Sequence, residues 1–275
     1  MGKISVAGVI VIAKVALIFL AALSVVLLIL YSGLRHRSRL ARRRRQGRKV
    51  GWGKIPLSSI YEISPHFERN ERGPLASTEV RHIANDNTPG GVSDYESWIL
   101  CNLAKRAKSI FEFGTATGKT TYLLGANSPT ETTVYTLTLA LTEHASYQHA
   151  SGDARGDFAN AIKESKFDQF VYSGTTIARK VVQLYGDSKT FPYHTYYDCM
   201  DLIFIDGSHA RSYIESDSKN ALAMLRAGGY ILWHDYRGPD VTPGVFEALN
   251  LLSDNMPLIQ IRGTCLVLYQ KPLDA

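Results

Sequence analysis

The stretch from Ser109 to Thr121, SIFEFGTATGKTT, constrains the fold of this chain more than any other. A short apolar run, Ile110 to Phe113, precedes a turn that contains Gly114 and Gly118, and helix-forming residues follow. This order predicts a strand, a tight loop and a helix. Glycines let the backbone approach a ligand closely, and a helix N-terminus offers unpaired N–H groups. Such a loop at the carboxyl end of a strand is where an open α/β sheet binds a nucleotide-like cofactor.

Two kinds of cofactor loop compete for these glycines. A P-loop has four residues between its first glycine and the Gly-Lys pair, whereas three separate Gly114 from Gly118 and Lys119. Phe113 also stands where the P-loop glycine would be. Glu112 would repel phosphates, but its carboxylate can accept hydrogen bonds from an amine or a hydroxyl. The spacing therefore disfavours a P-loop NTPase, and an ordinary structural turn remains an alternative.

The pattern acidic-x-Gly-x-x-x-Gly from Glu112 to Gly118 resembles motif I of the class I S-adenosylmethionine-dependent methyltransferases. The resemblance covers about Ser93 to Lys271, and the segments IDGSH and LWHDY are similar to those of sugar and macrolide O-methyltransferases. It implies an α/β fold with a doubly wound, mostly parallel, seven-stranded Rossmann-like sheet that ends in an antiparallel C-terminal hairpin. It also implies S-adenosylmethionine as the cofactor.

The resemblance implies a set of cofactor-binding residues, which are Glu112, Gly114, Ala116, Gly118, Thr138, Asp187, Ser188 and Asp206. Thr138 stands where the family has an acidic residue that binds the ribose hydroxyls. Either the affinity is lower as a result, or Glu143 supplies the missing contact. Val181 to Tyr185 is the third predicted strand, and Asp187 comes two residues after it, where related enzymes contact the adenine. An aspartate there also suits a turn.

Two later predicted strands end in acidic residues. Leu202 to Ile205 is an apolar run typical of a strand buried on both faces, and Asp206 follows it. Tyr230 to Trp233 is the next predicted strand, and His234 and Asp235 follow it. Because parallel strands bring their carboxyl ends to one edge of a sheet, we expect these side chains to form a site.

An oxygen acceptor requires a base as it attacks the methyl group, and a metal that lowers the pKa of the hydroxyl helps. We expect His209 to be the general base and Asp206 to assist it. Metal-using sugar O-methyltransferases have a similar aspartate and an acidic pair after the next strand, which implies a divalent cation such as Mg²⁺ at Asp206, His234 and Asp235. His234 replaces one carboxylate of that pair, which leaves room for a softer metal or for none.

The N-terminal part of the chain has the pattern of a membrane anchor. Val15 to Gly33 contains no charged residue and is long enough to cross a ~30 Å hydrocarbon core as a helix. Residues 35–49 contain eight Arg and one Lys and no acidic residue. The positive-inside rule then predicts a single-pass membrane protein with a cytoplasmic catalytic domain. A cleaved signal peptide fits less well, because its apolar region is shorter.

We expect a transmembrane anchor in residues 1–34, a basic juxtamembrane segment and linker in 35–91, and a methyltransferase domain in 92–275. Eleven of the 31 Lys and Arg residues lie within 1–49, which leaves 20 against 25 Asp and Glu in the remainder. This acidic balance argues against nucleic acid as a partner. The expected partners are a small-molecule, saccharide or lipid-linked acceptor and the membrane. The sequence does not indicate an oligomeric state, and a non-catalytic scaffold with the same fold remains an alternative.

Residues 143–173 form a polar segment between predicted strands. Long segments of this kind are often functional, so it is either a lid over the substrate or a solvated loop with a surface helix around Phe158 to Lys166.

Overall fold

A computed structural model describes residues 14, 17, 19–35, 53–86, 88–148 and 150–273, apart from the side chains of Ser146 and Arg155. The chain divides into two units, Met1–Val50 and Gly51–Ala275. The described residues of the first unit are helical, and residues 19–35 form its continuous part, α1.

The side chains of α1 are mostly apolar and exposed, with Leu20, Leu28 and Leu34 at 59%, 65% and 66%. No helix among the described residues has both the length and the apolarity needed to span a membrane. Residues 15, 16 and 18 of the expected membrane span lie outside the described residues, as do residues 36–49 of the basic flank.

The second unit contains all of the strands and the remaining α-helices of the described chain. The strands are β1 (Leu57–Ser58), β2 (Arg69–Asn70), β3 (Gly73–Pro74), β4 (Ser109–Phe113), β5 (Thr133–Thr138), β6 (Val181–Tyr185), β7 (Met200–Ile205), β8 (Leu225–Trp233), β9 (Ile259–Ile261) and β10 (Val267–Gln270). The α-helices are α2 (Ile60–Ile63), α3 (Asp94–Ala104), α4 (Lys119–Asn127), α5 (Arg155–Glu164), α6 (Arg211–Met224) and α7 (Pro243–Leu252).

Eight strands form one sheet in the order β1-β9-β10-β8-β7-β4-β5-β6, and β2 and β3 form a separate hairpin. The pairs among β4, β5, β6, β7 and β8 are parallel, whereas β10 is antiparallel to both β8 and β9. The expected mostly parallel α/β sheet with an antiparallel C-terminal hairpin is therefore confirmed.

The prediction of seven strands is wrong, because β1 adds an eighth. Leu57 and Ser58 pair in parallel with Gln260 and Ile261 of β9. Two residues between prolines carry no period-2 pattern, so the sequence offered no strand signal there. The surrounding segment was expected to be a linker that packs partly against the domain or the membrane, and its Ile55, Ile60 and Phe67 are buried in the core.

Both faces of the sheet are covered by helices. Phe111, Ile203 and Ile231 point to a core shared with α6 and α7. Ile110, Leu202 and Leu232, one position away, point to a second core that contains residues of α3 and α4. Alternate residues of a strand face opposite sides of a sheet, so the unbroken apolar runs of the sequence match a doubly covered sheet. The polar strand ends are left at its carboxyl edge.

Candidate active site

The loop after β4 packs directly against the end of β7. Gly114 has a φ of +94°, and a Cβ atom at this position would overlap the backbone carbonyl oxygen of Asp206. Ala116 and Gly118 also have positive φ values, of 44° and 73°, and α4 begins after Gly118. A residue with a Cβ atom would strain the backbone at position 114 and collide with the neighbouring strand. Glycine is therefore required where the loop and β7 meet.

Glu112 lies beneath this loop. Its Oε2 accepts hydrogen bonds from the hydroxyl of Thr121 in α4 at 2.5 Å and from that of Thr136 in β5 at 2.6 Å. Burial raises the pKa of Glu112 to about 8, although both hydroxyls act in the opposite direction. The side chain joins β4, α4 and β5 from the inside, and it is not part of the cavity wall described below.

Lys119, which gives the loop its likeness to a P-loop, is directed away from a phosphate-binding position. Its side chain is buried and its Nζ donates to the backbone carbonyl of Ala84 at 2.8 Å. A P-loop lysine must reach the phosphates of the nucleotide. The contact with Ala84 therefore speaks against the P-loop alternative independently of the glycine spacing.

A cavity of about 580 Å³, including its open mouth, lies at the carboxyl ends of β4, β5, β6 and β7. Six of the eight residues expected to bind the cofactor line it, namely Gly114, Ala116, Thr138, Asp187, Ser188 and Asp206. The other two do not line it. Glu112 is buried, and Gly118 is packed against Phe170 and Tyr172, which a Cβ atom at this position would meet at 2.8 Å.

The structure separates the two residues considered for the ribose contact. Thr138 lies on the cavity wall at the end of β5. Glu143 is exposed in the 3₁₀ helix Leu141–Ser146 and does not line the cavity. Thr138 therefore remains the candidate for this contact, with a hydroxyl in place of a carboxylate.

The polar segment after β5 covers the cavity. Tyr147, Ala161, Glu164 and Ser165 contribute to the wall. The ring of Tyr147 stacks on that of Tyr213 at 4.4 Å between centroids. Its hydroxyl lies 2.6 Å from Ser208 Oγ, so it is held to the loop after β7. The segment is thus part of the site, with α5 as its helix.

The end of the cavity near β6 contains two aspartates. Asp187 Oδ2 accepts from the hydroxyl of Tyr213 at 2.9 Å, and its Oδ1 accepts from Lys189 N at 2.9 Å. Asp217 of α6 is 1% exposed and lines the same cavity, and its Oδ1 has no hydrogen-bond partner in the described structure. Burial raises the pKa of Asp217 to about 7.

A cluster of acidic and basic side chains lies where β7 and β8 end. His209 Nε2 is 2.6 Å from Asp235 Oδ2, and Arg237 Nη2 is 2.6 Å from Asp235 Oδ1. His234 Nδ1 is 2.9 Å from Asp206 Oδ1 and 3.4 Å from Asp235 Oδ1. The four residues expected to act in catalysis or metal binding are thus in contact. His209 itself is beside the cavity and not on its wall.

The charges of this cluster depend on one another. Burial opposes a charge on His234, yet Asp206, Cys265 and Asp235 outweigh it and raise the pKa of His234 well above its ordinary value. Burial likewise opposes a charge on His209, and the hydrogen bond to Asp235 outweighs it, so the pKa of His209 is also raised. Both imidazoles therefore tend to be cations, and Asp235 is held as an anion.

The donor set does not fit Mg²⁺. Ligand atoms of Asp206, His234 and Asp235 lie within 4.8 Å of one another, as a metal site requires. However, His234 binds a metal only as a neutral imidazole, and Mg²⁺ prefers oxygen ligands. His234, His209 and Arg237 already pair with the two carboxylates. These three side chains of the protein already neutralise the carboxylates of Asp206 and Asp235, so the cluster needs no metal to balance its charge.

Two acidic residues of the cavity wall were not found from the sequence. Asp217 carried a signal, because it falls on the same face of α6 as the buried Tyr213, Ile214 and Ala221. A carboxylate on the apolar face of a helix is costly unless it has a function or a partner. Glu164 carried none, since it lies in a segment without any clear period. Burial raises the pKa of Glu164 to about 7, and the charge of His209 acts in the opposite direction.

Comparison with known families gives one match. Residues 111–236 match a family described as a methyltransferase domain. Every residue of the cavity wall, from Phe113 to Asp217, falls within the matched part. No curated protein matches the chain.

Several solved structures are similar to this chain at low identity. One is the O-methyltransferase TomG from Streptomyces achromogenes in complex with SAM, with 17% identity, 65% of this chain and 79% of that chain covered, and a TM-score of 0.45. Another is the SAH-bound methyltransferase PaMTH1 from Podospora anserina, with 18% identity, 66% of this chain and 80% of that chain covered, and a TM-score of 0.46. A third is the O-methyltransferase from Bacillus cereus in complex with SAH, with 18% identity, 66% of this chain and 83% of that chain covered, and a TM-score of 0.43.

The family match and the glycine loop agree on the class of the protein. The class I assignment made from Glu112 to Gly118 is confirmed, and the cofactor of this class is S-adenosylmethionine. Residues 111–236 of this chain thus match a methyltransferase domain, as the resemblance of the glycine loop predicted.

Proposed function

We propose that the chain transfers the methyl group of S-adenosylmethionine to a hydroxyl oxygen of a small-molecule, saccharide or lipid-linked acceptor. The observation that carries the proposal is the cavity at the strand ends, whose whole wall lies in the part matched to a methyltransferase domain. The base-bearing cluster around His209 is next to this cavity, at the ends of β7 and β8.

The residues of the wall fit the cofactor. Gly114 provides a close backbone approach, because no Cβ atom fits there, and the aminocarboxypropyl end would lie along this loop. Thr138 would hold the ribose hydroxyls, and Asp187 and Ser188 are at the end where the adenine would bind. The bound cofactor supplies a methyl sulfonium, from which the methyl group is displaced in line by the acceptor oxygen.

His209 would accept the proton of the acceptor hydroxyl. Its Nε2 is held by Asp235 at 2.6 Å, which orients the ring and stabilises the imidazolium formed when the other nitrogen takes a proton. Asp206 is neutralised by His234 and packs against the glycine loop. It therefore fixes the distance between the loop and the base. Alignment of the acceptor with the methyl group should supply much of the rate.

The proposal is tested by binding and transfer with the full chain in detergent. Isothermal titration calorimetry with S-adenosylhomocysteine should show saturable binding, and ATP should not compete. Methyl-tritiated S-adenosylmethionine and a membrane lipid extract or a panel of hydroxylated small molecules should then give a labelled product that is stable to base. Binding of ATP without binding of S-adenosylhomocysteine would overturn the proposal, and binding without any transfer would favour a non-catalytic scaffold.

We also propose that residues 1–34 anchor the chain in a membrane and that the methyltransferase domain, within residues 92–275, lies in the cytoplasm. The support is the uncharged run from Val15 to Gly33 and the basic block that follows it. The exposed apolar side chains of α1 are in keeping with a lipid environment. A membrane-associated acceptor would then be within reach.

Topology can be measured with single cysteines in a chain whose three native cysteines are replaced by serine. An impermeant maleimide applied to intact cells should label Ser5→Cys, on the amino-terminal side of the span, and should leave Ala275→Cys unlabelled until the cells are lysed. Labelling of Ala275→Cys in intact cells would contradict the orientation. Recovery of the full chain in the supernatant after ultracentrifugation would contradict the anchor.

A further inference from the structure

A second group of possible metal ligands lies on the Nε2 side of the His234 ring. Glu96 of α3, His234 after β8 and Cys265 before β10 each offer one ligand atom, and these atoms lie within 4.8 Å of one another. Glu96 and His234 are buried, whereas Cys265 is half-buried and gives solvent access to the group. None of the three residues lines the cofactor cavity. The group is therefore distinct from the cofactor site and has a path by which an ion can enter.

The imidazole of His234 is held in the way that is typical of a metal ligand. Its Nδ1 is 2.9 Å from Asp206 Oδ1, whereas its Nε2 is buried and has no hydrogen-bond partner within the described part of the chain. Histidines that bind metals usually donate the other ring N–H to a carboxylate or carbonyl, which fixes the tautomer and the ring orientation. A buried polar atom without a partner is costly, so Nε2 indicates a group that the protein itself does not provide.

The distances within the group suit a tetrahedral ion. Cys265 Sγ is 3.1 Å from Glu96 Oε1, and His234 Nε2 is 3.5 Å from Glu96 Oε2. Zinc bonds of ~2.3 Å to sulfur and ~2.0–2.2 Å to nitrogen and oxygen place the ligand atoms of a tetrahedral site roughly 3.4–3.6 Å apart. Small movements of the side chains would therefore bring all three onto one ion, and a water molecule would take the fourth position.

The charges of the group balance a divalent cation. Without metal, the Cys265 thiol donates to Glu96 Oε1, and burial raises the pKa of Cys265, so the thiol keeps its proton. A metal ion deprotonates a coordinating thiol outright. Zinc would replace this proton and the proton on His234 Nε2, both of which go to solvent, so the net charge of the group is unchanged. The hydrogen bond from Nδ1 to Asp206 is kept.

We propose that Glu96, His234 and Cys265 form a binding site for Zn²⁺ outside the cofactor cavity. A thiolate and an imidazole favour zinc, whereas Mg²⁺ prefers oxygen ligands. Bound zinc would join α3 to the segments that follow β8 and precede β10. It is an addition to the proposed base and not a requirement for it, because His209 and Asp235 form their pair without a metal.

The first test uses Co²⁺ as a spectroscopic substitute for zinc in the full chain in detergent, with the cysteines reduced. Cobalt bound to a thiolate gives a charge-transfer band in the near ultraviolet, and Zn²⁺ should remove the band by displacing cobalt. Cys265→Ser should abolish the band and weaken Zn²⁺ binding by more than the ~10–100-fold that the loss of an outer-shell partner costs. Cys199→Ser, at an exposed cysteine outside the group, is the matched control and should keep the band.

Two outcomes of this test would overturn the inference. One is the absence of a thiolate band in the unmodified chain, and the other is a band that survives in Cys265→Ser. Affinity for S-adenosylhomocysteine reports whether Cys265→Ser is folded, because Cys265 is not on the wall of the cofactor cavity.

The second test examines the histidine ligand in a chain that keeps all of its cysteines. One equivalent of Zn²⁺ should shift the NMR signal of His234 Nε2, assigned with His234→Gln, more than that of Nδ1. The exposed His82, which pairs with Asp94 at 3.0 Å, is the internal control and should be unchanged. Zinc that shifts His82 and not His234 would be bound at the surface only, and the inference would be wrong.

Discussion

His209 Nε2 and Asp235 Oδ2 are 2.6 Å apart, which joins the loop after β7 to the loop after β8 in one carboxylate–imidazole pair. Asp235 has a φ of +61°, a conformation that non-glycine residues rarely adopt. Strained backbone of this kind persists where the surrounding structure holds it, and it is concentrated at functional sites. The pair therefore fixes the orientation of the proposed base.

The pair sets the pH dependence of the base. His209 accepts a proton only when its ring is neutral, and Asp235 raises its pKa. Transfer should therefore increase with pH through a value above the ordinary ~6.5 of histidine. Asp235→Asn removes the charge, and the increase of the transfer rate should then occur at a lower pH. NMR titration of the histidine rings, assigned with His209→Gln, measures the shift without an acceptor. An unchanged ring pKa in Asp235→Asn would contradict the pairing.

Loss of the ring should separate catalysis from cofactor binding. His209→Ala is expected to reduce the rate of methyl transfer by about 10²–10⁴-fold, the usual effect of losing a general base. The affinity for S-adenosylhomocysteine should change little, because His209 is not on the cavity wall. Measuring both quantities on the same preparation distinguishes this role from a structural one, which would lower both.

The cluster should work without a divalent cation. We expect neither Mg²⁺ nor Mn²⁺ to bind at Asp206 and Asp235, and EDTA to leave methyl transfer unchanged, because His234 already lies between the two carboxylates. His234→Asp replaces this cation by a third oxygen ligand and should create a site for Mn²⁺ that calorimetry detects. His194→Asp, which introduces the same charge at an exposed position outside the cluster, is the control. Stoichiometric Mg²⁺ binding to the unmodified chain would contradict the prediction.

Glu112 should make the stability of the fold depend on pH. Its pKa is raised from 4.5 to about 8 in the folded chain. The folded state therefore holds the proton more tightly than the unfolded state, and stability should fall as the pH rises from about 4.5 to 8, by at most ~1.4 kcal/mol per pH unit. Glu112→Gln keeps an oxygen for Thr121 and Thr136 and should flatten this slope. Chemical unfolding at pH 5, 6.5 and 8 measures it, and parallel slopes would show that the carboxyl does not titrate.

The contact at Gly114 can be tested with a single methyl group. Gly114→Ala would strain a backbone with φ of +94° and overlap Asp206 O, so the loop must shift. We expect S-adenosylhomocysteine to bind at least 10-fold more weakly and the fold to lose about 1–3 kcal/mol. Gly156→Ala is the matched control, since nothing lies within 4 Å of a Cβ atom at that position. Equal affinity in both variants would show that the loop does not form the cofactor site.

Much of the fold was predictable because it rests on local patterns. The apolar runs at Ile110 to Phe113 and Leu202 to Ile205 were long enough to indicate buried strands, and both are confirmed. The start of β8 was not predictable. Leu225 pairs with Met200 through an irregular register, so β8 begins three residues before Gly228 and Gly229, although glycines are more typical of a helix end than of a strand.

Part of the candidate site was also predictable from the sequence. The residues that follow strands, such as Asp206 and Asp235, were predictable because the ends of parallel strands converge. Glu112 was in the predicted motif, but its hydrogen bonds to two threonines depend on how α4 and β5 pack over β4. Glu164 depends on the position of α5, a tertiary relationship that no local pattern encodes.

The absence of space between Gly114 and Asp206 has a thermodynamic consequence. The glycine loop would hold the methyl donor, and the end of β7 leads to the proposed base, His209. These two segments cannot move independently, because they are in contact at Gly114 and Asp206. Free-energy changes from substitutions at Gly114 and at Asp206 should then be non-additive, with a coupling term of about 0.5–3 kcal/mol in a double-mutant cycle. By reciprocity, a donor bound on one side must change the acceptor affinity on the other by the same factor as the acceptor changes that of the donor.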